Sequence, residues 1–180
     1  MSVFTNNSSS TPEEIAQYVA ALLGLLGDRD PRDVLAQTEA ALQARISSVS
    51  PDLLKQREAP GKWSAAHVLQ HLADSDLVFG FRLRMILAHD RPGIPGYDQD
   101  AFADRLYYDD ADPAQSLADF GAVRSANLRL LARLSPEDMK RVGVHAERGE
   151  ESVAHLIKLY AGHDLLHLRQ LDRVLGTVAA

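Results

Sequence analysis

"YAGHDLLHLRQ", residues 160–170, reads as a buried helix that carries two histidines four positions apart. A helix turns by about 100° per residue, so His163 and His167 lie about 40° apart on one face. Two imidazoles on one face can bind the same metal ion, although histidines at this spacing are more often satisfied by ordinary hydrogen bonds. A metal site here therefore needs a third ligand from another part of the fold.

The chain on either side of this segment divides into helices at capping residues and prolines. Thr11-Pro12 and Asp30-Pro31 each combine a capping side chain with a proline at the first helical position, and Ser64 and Ser152 are further caps. Apolar residues at helical spacing follow each of these positions. The predicted boundaries are 11–26 for an accessory helix, and 31–49, 64–89, 113–134 and 152–175 for the first to fourth helices of a bundle, the last ending before Gly176.

The connection between the second and third bundle helices favours one topology. Residues 90–112 have a helical pattern only over 98–107, and they are far more than the roughly 2 to 8 residues that join antiparallel neighbours. Such a crossover predicts an all-α, four-helix bundle of up-down-down-up topology, in which the second and fourth helices are antiparallel. A possible short strand near Val142 to His145 is the single strand pattern.

The histidine positions support the same topology. His71 lies about 10 Å along the second helix from its start, and His167 lies about 12 Å before the end of the fourth helix. Antiparallel helices bring these two levels together, so His71 can join His163 and His167. Three neutral nitrogens suit Zn, Ni, Fe or Mn better than Ca or Mg, and three protein ligands leave coordination positions open for water or substrate.

Composition limits the class of protein. Apolar residues make up 46% of the 180 residues and aromatic residues 6%, which indicates a core built mainly from Leu, Ala and Val. We predict a disordered tail at 1–10 and a single domain at 11–180. The net charge of −6 argues against nucleic acid as a partner, and Arg82 with Arg84 is the nearest approach to a basic cluster. The absence of cysteine excludes disulfides and a protein thiol nucleophile, and the absence of a signal-peptide pattern or an apolar run of about 18 residues predicts a cytoplasmic protein without membrane contact.

Three motifs resemble the DinB-like superfamily, in its metal-binding branch of metal-dependent hydrolases and bacillithiol S-transferase-like proteins. They are "KWSAAHVLQHLADSD" at 62–76, "RPGIPGYDQDAF" at 91–102 and "LIKLYAGHDLLHLRQL" at 156–171. The resemblance covers most of residues 31–176. It implies an up-down-down-up bundle, a homodimer, and a divalent metal bound by His71, His163 and His167.

Several other polar residues have both a structural and a functional interpretation. His67 precedes His71 by four residues and could be a rival ligand, but packing is the more common role at such a position. His155 is rotated by about 80° from His163 and should face elsewhere. Asp74 could orient an imidazole through its second nitrogen. Asp164 adjoins His163 and points about 100° away, which favours a solvated position.

The aromatic residues near the connection also leave alternatives open. Tyr97, Tyr107 and Tyr108 could line the mouth of a pocket, although aromatic side chains in loops more often seal the end of a bundle. Trp63 stands beside the Ser64 cap, where a hydrophobic staple is expected, and is interpreted as structural.

Two classes of function fit these residues. An enzyme would use the metal to activate water for hydrolysis of a small molecule, or to bind a low-molecular-weight thiol co-substrate as its thiolate for transfer to an electrophile. A metal-dependent binding or stress-response protein without turnover would need the same three ligands. No general base can be assigned from the sequence, so the catalytic residues stay unknown.

Overall fold

The computed structural model describes residues 11–178, and the tail expected at 1–10 lies outside them. Seven α-helices account for most of the described chain, and a small three-stranded sheet closes one end. The helices are α1 (Pro12–Leu26), α2 (Pro31–Ile46), α3 (Pro51–Lys55), α4 (Ala65–Ala88), α5 (Gln99–Arg105), α6 (Pro113–Leu131) and α7 (Val153–Val178). The strands are β1 (Gly93–Ile94), β2 (Val142–His145) and β3 (Gly149–Ser152).

The helix starts follow the caps expected from the sequence. Thr11 forms a capping box with Glu14, and the Ser64 side chain accepts a hydrogen bond from the backbone N–H of His67. The predicted helix ends are less accurate. Helices α2 and α6 end about three residues before their predicted ends, while α7 continues through Gly176 to Val178. One glycine costs a helix only about 1 kcal/mol, so it does not by itself end α7.

Helices α2, α4, α6 and α7 form the four-helix bundle, in which α4 lies beside α6 and α7, and α2 lies beside the same two helices. Side-chain pairs fix the directions: α4 is antiparallel to α7 and parallel to α6, while α2 is parallel to α7 and antiparallel to α6. The up-down-down-up topology is therefore confirmed. The contacts are His71–His163 and Arg82–Tyr160 between α4 and α7, and Gln70–Ser116 and Asp76–Arg124 between α4 and α6. They are Thr38–Asp164 and Arg45–Asp172 between α2 and α7, and Leu35–Arg124 and Glu39–Gly121 between α2 and α6.

Only strand β2 of the sheet was expected from the sequence, and strands β1 and β3 were not. Strand β1 pairs in parallel with β2, and β2 pairs antiparallel with β3 across a short turn. Gly143 in β2 lies against the side chains of Ile86 and Ile94, at distances that leave no room for a Cβ. The sheet thus packs the beginning of the crossover connection onto α4, and it brings His145 to the bundle.

Helix α1 packs along α7 rather than standing apart from the bundle. At the contact, a Cβ on Gly162 would come within 2.3 Å of the carbonyl oxygen of Leu22, so only glycine permits this approach of the two backbones. Helix α7 therefore has α1, α2 and α4 as neighbours and is buried around most of its circumference.

This burial overturns the solvated position expected for Asp164. Its side chain is 1% exposed and binds Arg124, whose Nη1 lies 2.6 Å from Asp164 Oδ2, and it also accepts a hydrogen bond from Thr38. Arg124 binds Asp76 of α4 as well, with Nε 2.9 Å from Oδ1, and the carbonyl of Leu35 in α2. The 100° rotation from His163 was correct, but it points Asp164 at α2 and α6 instead of at water.

Candidate metal centre

Three imidazoles converge where α4 faces α7. The Nε2 atom of His163 lies 3.1 Å from Nε2 of His71 and 3.1 Å from Nε2 of His167. All three side chains are buried, with exposures of 1% for His71, 8% for His163 and 6% for His167. The structure brings together the three residues that the sequence singled out, and residues 11–178 contain no second cluster of this kind.

The spacing of the nitrogens fits a shared ion. Imidazole nitrogens bind zinc at about 2.0–2.1 Å, so two such ligands of one ion lie roughly 2.9–3.4 Å apart, depending on the angle between them. The two Nε2 distances of 3.1 Å fall inside this interval. A set of three ligands on one side of an ion leaves its other side open, as catalytic sites require and structural sites do not.

The second ring nitrogens differ in their partners. His167 Nδ1 lies 2.8 Å from Oε1 of Gln170, which can only accept, so the proton is on Nδ1 and the Nε2 lone pair points to the cluster. The Nδ1 atoms of His71 and His163 are buried and have no hydrogen-bond partner in the structure. The ring of Trp63 lies 5.0 Å from the ring of His71 and covers it instead.

The electrostatic environment keeps these imidazoles neutral. Burial, and then the neighbouring His167, hold the pKa of His71 well below its usual value. Burial does the same to the pKa of His163, with His167 and His71 adding to the effect, and burial lowers the pKa of His167 to about 4. Neutral imidazole is the form that binds a metal, so the site requires no loss of protons near pH 7.

A cavity of about 580 Å³, including its opening to solvent, lies beside His163. Helices α1, α4 and α7, the crossover connection and the turn after β2 all contribute to its lining. The polar side chains that matter for its chemistry are Tyr97, Arg82, Tyr160, His145 and Arg148. A cavity on which several polar side chains converge beside a cluster of three imidazoles is a candidate binding site for a small molecule.

His67 is held away from the cluster. Its Nδ1 lies 2.8 Å from Ser64 Oγ, and its Nε2 lies 3.2 Å from Oδ1 of Asp109 and 3.1 Å from Arg57. The order Ser64, His67, Asp109 resembles a nucleophilic triad, but Ser64 is fully buried and caps α4, so a substrate cannot reach its hydroxyl. These contacts fasten the connection to the start of α4.

The other residues considered in the sequence also have defined places. His155 is half-buried and lies outside the histidine cluster. Asp74 accepts a hydrogen bond of 2.6 Å from the Tyr108 hydroxyl rather than orienting an imidazole. The three tyrosines divide between the alternatives: Tyr97 lines the cavity, Tyr108 is buried against α4, and Tyr107 is 73% exposed.

The sequence interpretation missed several residues of the site. Gln170 follows His167 by three residues, a spacing that places the two side chains on one helix face and could have revealed the pair. Arg82 and Arg84 do not form a basic cluster, because Arg82 is buried towards α7 while Arg84 bonds Asn127 of α6. His145, which reaches the cavity from a strand, gave no local signal of its place.

Comparison with known proteins gives one family. The family model described as the DinB superfamily matches residues 35–171. None of the helices within residues 11–178 combines the length and the hydropathy needed to cross a membrane.

Individual proteins are also similar to this chain. A protein of Oceanobacillus iheyensis, named as a candidate metal-dependent hydrolase, is 35% identical over 112 residues, covering 62% of this chain and 64% of its own. YfiT of Bacillus subtilis, which carries the same kind of name, is 27% identical over 147 residues, covering 79% of this chain and 83% of its own. The match thus spans just under two thirds of the first relative. The solved structure of YfiT, described as having an unusual four-helix bundle topology, superposes with a TM-score of 0.71 at 23% identity over 96% of this chain and 94% of that one.

Proposed function

This chain belongs to the DinB superfamily, and from that membership and the histidine cluster we propose that it is a metal-dependent hydrolase of a small molecule. His71, His163 and His167 would hold one divalent transition metal, such as Zn, Ni, Fe or Mn, through their Nε2 atoms. The observation that carries the proposal is the convergence of three buried, neutral imidazoles beside a cavity, with Nε2 of His163 3.1 Å from Nε2 of each of the other two. The names of the relatives support it.

A divalent ion with open positions lowers the pKa of bound water and polarises a carbonyl or phosphoryl oxygen. The protein residues supply orientation and hydrogen bonds. Gln170 fixes the tautomer of His167, and Trp63 shields His71 from solvent. Burial raises the pKa of Tyr160, so its hydroxyl stays protonated at neutral pH and can donate a hydrogen bond to a substrate oxygen in the cavity.

Alanine variants of the three histidines test the proposal. We expect His71→Ala, His163→Ala and His167→Ala each to lower metal affinity by at least about 100-fold, because two imidazoles and water replace three fixed ligands. Gln170→Ala should lower it by roughly 10- to 100-fold, since it leaves all ligands in place but frees one ring. His67→Ala and His155→Ala are the controls and should bind metal like the wild type. Titration of metal stoichiometry and affinity measures all six variants.

Turnover should follow metal occupancy. The assay covers esters, amides and phosphate esters, and a parallel panel supplies a low-molecular-weight thiol with an electrophile, because the chain has no cysteine of its own. Hydrolysis that is lost on chelation and restored by added metal supports the proposal. Activity in the thiol panel alone would replace hydrolysis by thiol transfer, and stoichiometric metal without turnover in either panel would favour a binding protein. Equal metal binding by the wild type and His163→Ala would contradict the metal site itself.

A further inference from the structure

The cavity beside His163 is lined by a buried cation that has only neutral partners. Arg82 is 3% exposed, and its guanidinium donates hydrogen bonds to the Tyr160 hydroxyl at 3.1 Å and to the Pro95 carbonyl at 2.6 Å. Its Nε–H is buried and has no partner, and no ion pair involves Arg82 within residues 11–178. Burial of a charge without a counter-ion is costly, which suggests that the counter-ion comes from a ligand.

A second buried donor lines the same cavity. Nδ1 of His145 accepts a hydrogen bond of 3.2 Å from the backbone N–H of Glu147, so the proton of the neutral ring is on Nε2. This Nε2 is buried and has no partner either. The Tyr160 hydroxyl is also at the cavity, and burial raises its pKa, so it remains a protonated donor at neutral pH, whereas the Tyr97 hydroxyl already donates to Ser75 Oγ at 3.3 Å.

Two other charged residues, Arg148 and Glu147, line the cavity. Arg148 is neutralised by Glu151, with its Nε 2.5 Å and its Nη2 2.9 Å from the two carboxylate oxygens. Glu147, an exposed residue, also lines the cavity, and its carboxylate lies beside Gly96. Arg82 is thus a buried cation of the lining that has no ion pair within residues 11–178, and together with the unpartnered Nε2 of His145 it suits a singly charged anionic group.

We propose that this cavity binds the carboxylate of a small-molecule substrate, with Arg82 as the charged contact and Tyr160 and His145 as hydrogen-bond donors. This rests on the proposed function, because it treats the cavity as the pocket from which the substrate reaches the histidine cluster. The two sites share one helix segment: the Tyr160 ring centroid lies 6.1 Å from that of His163. A carboxylate held by Arg82 would fix the molecule beside the histidines and would set specificity.

Calorimetry with matched ligands tests the proposal. Acetate and benzoate are compared with the neutral acetamide and benzamide, on the full chain loaded with zinc and on the metal-free chain. We expect both carboxylates to bind at least about ten-fold more tightly than their amides in both forms, because a charged hydrogen bond replaces a neutral one. Arg82→Met should abolish this preference.

Arg84→Met is the control, because it removes the same charge from the same helix at a side chain that bonds Gly80 and Asn127 away from the cavity. It should keep the full preference. Arg82→Lys, which retains the charge, should keep part of it, and this variant and the wild-type comparison decide the question if Arg82→Met does not fold. Equal affinity of acid and amide, no binding of either carboxylate, or an equal loss in Arg84→Met would overturn the proposal.

The outcomes separate this proposal from the metal-dependent reaction. A preference for carboxylates that disappears on metal removal and survives Arg82→Met would mean that the carboxylate binds the metal, which overturns the subsite. An Arg82-dependent preference in a protein without metal-dependent turnover would sustain the subsite and remove the hydrolase function.

Discussion

At the scale of the residue, His145 shows how burial changes the chemistry of an ordinary side chain. It is 2% exposed, and burial, followed by the charges of Arg148 and Arg82, lowers its pKa to about 4. The unfolded chain exposes the same imidazole to water, where its pKa is about 6.5. Between pH 6.5 and pH 4, the imidazole of His145 is therefore mostly protonated in the unfolded chain and mostly neutral in the folded protein.

The sign of the resulting pH dependence follows directly. As pH falls from 6.5 towards 4, the unfolded state gains protons first, so the free energy of unfolding decreases. For His145 alone the loss between pH 7 and pH 5 is on the order of 2 kcal/mol. We expect urea unfolding of the metal-free protein to show this decline, and His145→Gln to make its slope shallower by about one proton.

The slope, rather than the absolute stability, is the readout, because His145→Gln also changes packing. A slope for His145→Gln equal to that of the wild type would show that His145 binds a proton as readily in the folded protein as in the unfolded chain.

At the same scale, the sequence predicted the members of the histidine cluster but not their surroundings. The three histidines follow from helical spacing and from the levels of two antiparallel helices, both of which are regular geometry. The same helical spacing could have predicted the contact of Gln170 with His167. His145 and Arg82 were not, because a residue on a strand and a buried arginine acquire their roles from elements that are distant in the sequence.

At the scale of the element, α6 is joined to its neighbours by one arginine. Arg124 binds carboxylates of α4 and α7 and a carbonyl of α2, so a single side chain contacts all the other helices of the bundle. Burial raises the pKa of Asp76 to about 6 although Arg124 opposes this shift. The network fixes the relative position of the four helices at the level just beyond the histidines.

Removal of Arg124 should destabilise the protein strongly. Arg124→Met leaves Asp76 and Asp164 buried without a cation, and we expect the free energy of unfolding in urea to fall by about 3–5 kcal/mol. A triple variant that also carries Asp76→Leu and Asp164→Leu should regain much of this loss, because no unpaired charge remains.

Arg129→Met, on the exposed side of the same helix, is the control and should change the free energy of unfolding by less than about 0.5 kcal/mol. A triple variant that is less stable than Arg124→Met would show that the burial of two unpaired carboxylates is not the main cost of losing Arg124. The ionic network would then itself contribute net stability to the bundle. This network could not be predicted from the sequence, since charged residues at helical spacing normally indicate a solvated face.

At the scale of the whole molecule, the topology was predictable because one long connection excludes a simple meander. The small sheet and the position of α1 were not, since two-residue strands have no pattern and the α1 contact depends on the absence of a side chain at Gly162. The homodimer implied by the family resemblance stays a prediction, and Leu77 and Phe81, which are 60% and 54% exposed on α4, mark an apolar surface where a second chain could pack.

The fold should survive removal of the metal. Two clusters of buried aliphatic side chains stabilise the bundle along its length, so metal binding does not have to supply the folding free energy. We expect chelation to leave the far-ultraviolet helical signal unchanged and to lower the melting temperature by about 5 to 15 °C, through mass action alone.

Collapse of the helical signal on chelation would refute this expectation. The His167→Ala variant supplies the matched control: its melting temperature should respond to added metal far less than that of the wild type, while its helical content stays the same.

The crossover described above also constrains the order of events during synthesis. Helices α2 and α4 are diagonal in the bundle, so the first half of the chain cannot close into a hairpin as it leaves the ribosome. His71 and His163 are 92 residues apart, and α7 is the last helix to emerge. The nascent chain therefore presents His71 without its two partners until α7 has been synthesised, and the histidine cluster cannot form before that point.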